Sequence, residues 1–169
     1  MIFYPKKYFG NILEITVDFL QNNQIEGILL DIDNTIIDKD NKIIEGLEKW
    51  VENIKKNNIK ICILSNTNRK SKAQKLSKLI DVPYIFFAKK PLKGGFRKAQ
   101  NLLGIENPKN IAVIGDQVLT DVFGANRCKM YSILVKPLQP SDILVTKINR
   151  NIEKIILKKY FKENNIKQK

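Results

Sequence analysis

The stretch Ile28-Leu29-Leu30-Asp31-Ile32-Asp33-Asn34-Thr35 decides the fold. An apolar run ends abruptly in two carboxylates separated by one residue, followed by Asn34 and Thr35. Buried strands do not normally close on paired anions. Their repulsion must be offset by a cation, a shared proton or both. In open parallel sheets, ligands bind in the crevice outside the carboxyl ends of the strands. A strand over 27–31 that delivers Asp31 and Asp33 to such a tip predicts a site for a metal ion and a phosphate group.

Outward from this stretch, short apolar runs alternate with segments of helical spacing. Strands are predicted at 27–31, 59–64, 83–87, 111–115 and 131–135. Helices are predicted at 10–22, 42–57, 69–80, 95–104, near 120–127 and at 141–160. In the second helix Ile43, Ile44, Leu47, Trp50, Val51 and Ile54 fall on one face, and Gly104 is a natural stop for the fourth. Strands that read as continuous apolar runs between helices imply a parallel sheet covered on both faces. The fold class is therefore α/β, with about five parallel strands. Residues 1–169 are expected to form a single domain, with helices 10–22 and 141–160 packed on it. Trp50 and the pair Phe86-Phe87 are expected in the core.

Composition narrows the chemistry. With 169 residues, 43% of them hydrophobic, the chain can bury one ordinary core. No apolar run approaches the roughly 20 residues that span a bilayer. Met1 to Lys7 lack a signal-peptide core, so a cytoplasmic location is expected. Only the residues from Lys162 on read as disordered. Cys62 and Cys128 form no CxxC, and Cys62 lies in a strand pattern, as a buried reduced thiol would. The chain has no histidine. That excludes Ser-His-Asp and Cys-His catalysis and most zinc sites. A metal must then be held by oxygen, which suggests Mg²⁺. The net charge of +13 favours anionic partners, although the abundance of Lys, Asn and Ile also reads as a general compositional bias.

Four strand ends carry polar groups. They are Asp31 and Asp33, then Ser65-Asn66-Thr67, then Lys89-Lys90-Pro91, and then Gly115-Asp116 with Asp121. Taken singly, Ser65-Asn66-Thr67 is a helix cap or a loop, and either lysine is a solvated charge. Together they supply carboxylates, a hydroxyl and an ammonium, the inventory of phosphoryl transfer.

The order DxDNT, a strand ending in Ser65, a lysine, and GD-x4-D resembles the haloacid dehalogenase (HAD) superfamily of aspartyl phosphatases. Three stretches are similar to the YqeG family of subclass IIIA phosphatases: Ala88-Lys89-Lys90-Pro91, Gly95-Phe96, and the run from Ile114-Gly115-Asp116-Gln117 to Ala125-Asn126. That family is related to the phosphatidylglycerophosphate phosphatases of mitochondria and cyanobacteria. The likeness runs from about Tyr4 to Leu138. It implies a Rossmannoid three-layer sandwich. It further implies that Asp31 is the nucleophile, forming an aspartyl-phosphate, and that Asp33 is general acid and then base. At the usual carboxylate pKa of about 3.9, Asp31 is expected to be ionised without help. Ser65, with backbone N–H groups around Asn66, is expected to bind phosphate oxygens. Lys90 is expected to neutralise the phosphate and Asp31. Lys89 and Lys93 compete for that role, and Lys90 is favoured because the family places its lysine just before proline. Mg²⁺ is expected on Asp31, the Asp33 carbonyl and Asp116, with Asp121 as an outer or water-mediated carboxylate. Gly115 is expected to allow a tight turn, and Gly124 close helix packing.

The spacing leaves no room for a cap domain after either of the first two motifs. An open crevice suits a large or surface-presented phosphomonoester, such as the head group of phosphatidylglycerophosphate. Two flanks are candidates for contact with an anionic membrane, which would place the protein peripherally at the inner membrane face. One is Phe3, Tyr4, Tyr8 and Phe9 among Lys6 and Lys7. The other is Ile148, Ile152, Ile155, Ile156 and Tyr160 among Lys147, Arg150, Lys154, Lys158 and Lys159. The bland alternative is that both pack on the sheet with solvated lysines. The competing function is a basic module binding RNA, a ribosomal partner or a protein on a retained phosphatase scaffold. The intact acid set, and the lack of an aromatic-rich RNA-binding pattern, argue against it, so nucleic acid is not the expected partner.

Overall fold

A computed structural model describes residues 1–139 and 144–164, apart from the side chains of 144–150. Its sheet has six strands, all parallel: β1 Lys7–Phe9, β2 Gly27–Leu30, β3 Lys60–Leu64, β4 Tyr84–Ile85, β5 Ile111–Gly115 and β6 Tyr131–Val135. Their spatial order is β1-β6-β5-β2-β3-β4. From central β2 the chain moves to β3 on one side and later returns to β5 on the other. The strand order therefore reverses between β2 and β5, the position where open α/β sheets bind ligands. Leu30 is paired with Ile114, so Asp31 leaves the sheet level with Gly115, one residue before Asp116.

Side chains alternate across the sheet, as the two-residue period of a strand requires. Ile28, Leu30, Ile61, Ile63, Ala112 and Ile114 face one layer. There they meet helices α1 Val17–Asn22, α2 Leu47–Lys56 and α3 Lys70–Ile80. Leu29, Cys62, Leu64 and Val113 face the other, against α4 Lys93–Leu103 and α5 Phe123–Arg127. A last helix, α6 Leu144–Glu163, follows β6 and lays Ile156 and Leu157 beside Val118, Val122 and Leu134. This is the expected three-layer α/β sandwich. Trp50 is buried, and its indole N–H donates to the Ile15 carbonyl at 2.8 Å. Cys62 and Cys128 are free thiols, and burial pushes Cys62 up to about 12, which makes it inert.

Several expectations need correction. The sheet gains a sixth strand, β1, because Lys7, Tyr8 and Phe9 pair with Ile133, Leu134 and Val135. The predicted helix 10–22 is a 3₁₀ turn at Ile12–Glu14 followed by α1, each with its own side-chain cap, Asn11 and Thr16. Helix 42–57 begins only at Leu47. Ile43 is held in an antiparallel bridge to Ile37, and Gly46 turns the chain at φ 90°. Strand 83–87 stops at Ile85, and Phe86 and Phe87 are 37% and 54% exposed rather than core. Helix 95–104 starts earlier, at Lys93, and stops as expected at Gly104, which sits at φ 62°. Near 120–127 a π-helical turn, Val118–Val122, precedes α5. In the last helix the predicted start, 141–143, lies outside the described residues, as do the side chains of Lys147, Ile148 and Arg150. Lys162, expected to be disordered, is helical.

Between Asp33 and β3 the chain holds only the bridged loop and α2. Between β3 and Lys90 it holds only α3 and β4. Neither connection builds a cap. Among the described residues no helix is long and apolar enough to cross a membrane.

Candidate active site

At the reversal point, buried charges converge. Asp31, Lys90, Asp116 and Asp121 are 6%, 6%, 2% and 2% exposed. The Lys90 Nζ lies 2.6 Å from Asp31 Oδ1 and 2.6 Å from Asp121 Oδ1. Thr35 donates its hydroxyl to Asp31 Oδ2 at 3.4 Å. Asp31, Asp116 and Asp121 each offer a carboxylate oxygen within 4.8 Å of the others. Three carboxylates against one ammonium leave a net negative charge in a desolvated place, which a divalent cation would balance. The donors are all hard oxygens, as Mg²⁺ requires, so the residues present fit that ion.

Electrostatics revise one expectation. Burial pushes the Asp31 carboxyl up to about 7, with Lys90 opposing and the charges of Asp121 and Asp33 adding to the rise. Even with Lys90 beside it, and without a metal ion, Asp31 is therefore not the freely ionised carboxylate that the usual value suggests. For Lys90, burial acts to lower the pKa, but Asp121 and Asp31 outweigh it and raise it, so the ammonium is permanent.

The loop that carries Lys90 is held in a constrained shape. Phe87 and Lys89 both occupy the left-handed region, at φ 49° and 54°. Non-glycine residues hold such geometry only where surrounding contacts fix it. Ala88 N–H donates to the Ser65 carbonyl, and the Asn66 side chain grips the Lys90 backbone from both ends. Lys90 N–H donates to Asn66 Oδ1 at 2.6 Å, and Asn66 Nδ2 donates to the Lys90 carbonyl at 3.0 Å. Asn66 thus positions Lys90. Of the three candidate lysines only Lys90 points inward, since Lys93 is exposed and Lys89 lies outside over the Phe87 ring at 5.0 Å. Ser65 is fully buried at the tip of β3, and its Oγ accepts from Thr67 N–H at 3.1 Å.

Asp121 arrives from the π-helical turn, and its Oδ2 accepts from Gln117 N–H at 3.1 Å. Gly115 serves space rather than turn geometry: a Cβ there would strike the Asp121 carboxylate. Asp33 stands apart from the carboxylate cluster. Its side chain is 51% exposed, and its Oδ1 meets Lys72 Nζ at 2.5 Å. Lys72, on the first turn of α3, escapes sequence reading because nothing in its surroundings distinguishes it from the other lysines of that helix.

Residues 2–138 match the sequence profile of the family described as mitochondrial PGP phosphatase. The chain belongs to this family of HAD-type phosphatases. A probable phosphatase of Bacillus subtilis, YqeG, is 34% identical to this PGP phosphatase-family chain over 156 residues, covering 92% of the chain and 90% of that protein. In fold, the chain is similar to an uncharacterised Listeria monocytogenes protein, with TM-score 0.55 and 17% identity, over 80% of this chain and 99% of the other. A second neighbour is an uncharacterised Corynebacterium glutamicum protein, with TM-score 0.51 and 19% identity, over 73% and 92%. As a family member the chain is a HAD-fold hydrolase, and its aspartate cluster is a phosphoryl-transfer site of the Mg²⁺-dependent kind.

Proposed function

We propose that the protein hydrolyses a phosphomonoester through an aspartyl-phosphate on Asp31, and that the substrate is phosphatidylglycerophosphate or another large phosphate presented at a surface. The observation that carries the chemistry is the Lys90 ammonium held 2.6 Å from both Asp31 and Asp121 beside Asp116.

In this reading an Asp31 oxygen attacks phosphorus while the bond to the leaving alcohol breaks. Asp33 gives the alcohol oxygen its proton and later takes one from the water that hydrolyses the aspartyl-phosphate. An ammonium has three donors, so Lys90 can keep Asp31 and Asp121 and still offer one N–H to a phosphate oxygen. The Ser65 hydroxyl and the N–H groups around Asn66 take further phosphate oxygens. Mg²⁺ held by Asp31, Asp116 and the Asp33 carbonyl would supply charge neutralisation that lets two anions meet. Asp121 also offers an oxygen within 4.8 Å of the other two carboxylates, so it would help to hold the same ion directly or through water.

Three observations support the lipid substrate. The matching family is described by that activity. Among the described residues no cap covers the crevice, and Asp33 is half-exposed at its mouth. Beside Lys90, the loop from Phe86 exposes Phe86, Phe87 and Leu92 at 37%, 54% and 57%. Lys70 and Lys89 stand 6.0 and 5.0 Å from the two ring centroids. Aromatic groups flanked by lysines suit the boundary of an anionic bilayer. The N-terminal aromatics suit it less. Phe3 stacks on Phe123, Tyr4 packs against Tyr160, Tyr8 against Phe161 and Phe9 against Phe19. On α6, Ile152 and Ile155 are exposed, so that helix remains a second surface for the membrane.

The test is phosphate release with Mg²⁺ from phosphatidylglycerophosphate vesicles, nucleotides and sugar phosphates, for wild type and Asp31→Asn. Faster release from the lipid supports the reading, and the reverse ranking removes the lipid. Equal release by Asp31→Asn removes the aspartyl-phosphate. Tight RNA binding without any phosphatase activity would favour the retained-scaffold alternative.

A further inference from the structure

A cavity of about 510 Å³ lies between the loop after β2 and the first half of α3. Its walls include Ile37, Ile43 and Leu76 on the apolar side and Arg69, Lys72 and Lys75 on the other, with no carboxylate among the lining residues. Lys72 joins the cavity to the reacting centre through its contact with Asp33 Oδ1 at 2.5 Å. Arg69 and Lys75 have no carboxylate partner among the described residues. Three cations around an apolar floor, one of them already on an acid, make a site for an amphiphilic anion.

We infer that this cavity receives the leaving group, and that it selects phosphomonoesters whose alcohol carries a second acidic group, a phosphodiester, next to apolar substance. The inference rests on the proposed roles of Asp31 and Asp33. In-line displacement puts the leaving oxygen on the side of phosphorus opposite Asp31, and Asp33 must reach that oxygen. The departing alcohol therefore extends past Asp33, where Lys72 and the cavity begin. The bond that breaks is the one between phosphorus and this oxygen, and the Asp33 proton stays with the alcohol. Arg69 and Lys75 hold the distal phosphodiester, while Ile37, Ile43 and Leu76 take the carbon chain.

The product alcohol itself is a sufficient probe, so the experiment does not depend on turnover. Short-chain dihexanoyl phosphatidylglycerol is titrated as monomers into wild type and Arg69→Ala/Lys75→Ala, followed by calorimetry. Lys98→Ala/Lys109→Ala, which removes the same charge outside the cavity, is the control. Losing two charge-assisted contacts should weaken binding on the order of tenfold or more in the first variant and leave the control at the wild-type value. Equal weakening in both variants, or no binding to wild type, overturns the inference. With turnover, the ratio of kcat/KM for dihexanoyl phosphatidylglycerophosphate to that for p-nitrophenyl phosphate should fall by a similar factor, mainly through KM. An unchanged ratio also overturns it. A wild type that binds the alcohol but hydrolyses neither ester would instead defeat the proposed function and leave the anion site standing.

Discussion

Replacing Lys90 by Met tests the electrostatic core of the site. The ammonium is 2% exposed at the side chain and 2.6 Å from each of two carboxylates. Lys90→Met keeps most of the volume and removes the charge, which leaves Asp31, Asp116 and Asp121 within 4.8 Å of one another. Removing one partner of a buried ion pair costs about 3–5 kcal/mol, against a total stability of about 5–15 kcal/mol for a domain. For a chain of this length that predicts a Tm lower by about 6–20 °C in EDTA. The loss has a sign in pH. Burial already holds Asp31 up at about 7, and its pKa rises further without Lys90. A carboxyl raised in the folded state contributes stability below its unfolded pKa, and that contribution is lost as pH rises through the folded value. The variant should therefore be closer to wild type at about pH 5 than at about pH 8. Mg²⁺ should recover part of the deficit, and so should Lys90→Met/Asp121→Asn, which removes one of the stranded charges. Thermal unfolding of the three proteins, with EDTA or Mg²⁺ at both pH values, decides it. A Tm within about 2 °C of wild type at the higher pH in EDTA would refute the reasoning.

Asp31→Asn should lower phosphate release by at least ~10³-fold while the far-UV spectrum stays unchanged, because it removes the proposed nucleophile. Proton and metal compete for Asp31, so Mg²⁺ affinity measured by calorimetry should tighten as pH rises toward about 7 and level off above it. Asn66→Ala removes both hydrogen bonds to the Lys90 backbone. It should cost about 1–3 kcal/mol in urea unfolding and lower kcat more than it raises KM. Gly124→Ala drives a methyl group into the buried Phe96 ring. It should destabilise by about 1–3 kcal/mol with the kinetic constants of the remaining folded protein unchanged.

The parts of the fold legible in sequence were those whose signal is local. Ile28 to Leu30 and Ile111 to Ile114 are buried on both faces, so they read as unbroken apolar runs. The paired carboxylates and the Gly115-Asp116 step stand directly at the ends of those strands. β1 was not legible, because its partner β6 lies more than a hundred residues away and its own residues are exposed at Lys7 and only half-buried at Tyr8 and Phe9. Phe86 and Phe87 continue an apolar run past the point where the backbone leaves the sheet. The strand ends at Ile85, where its partner β3 ends, and the chain then takes a left-handed turn at Phe87, a property of φ rather than of hydrophobicity. Ile43 and Ile44 keep helical spacing with α2, yet the bridge to Ile37 and the Gly46 turn hold them in the preceding loop. Within the site, sequence order supplied the carboxylates, but the partners of Asp33 and Lys90 depend on how α3 and the 87–90 loop pack. Lys72 and the grip of Asn66 on the Lys90 backbone emerge only there.

The turn at Val118–Val122 carries one further consequence. Its π-helical winding takes one more residue than an α-helical turn would, and it delivers Asp121 to Lys90 and Gln117 at once. Deleting a single residue there would let the segment relax to the commoner winding and swing position 121 by roughly 100° about the helix axis. The sheet would still form, because β5 and β6 pair on either side of the turn. The chain can thus change residues in this segment more freely than it can change its length. Descendants of this sequence should show substitutions here long before they show gaps.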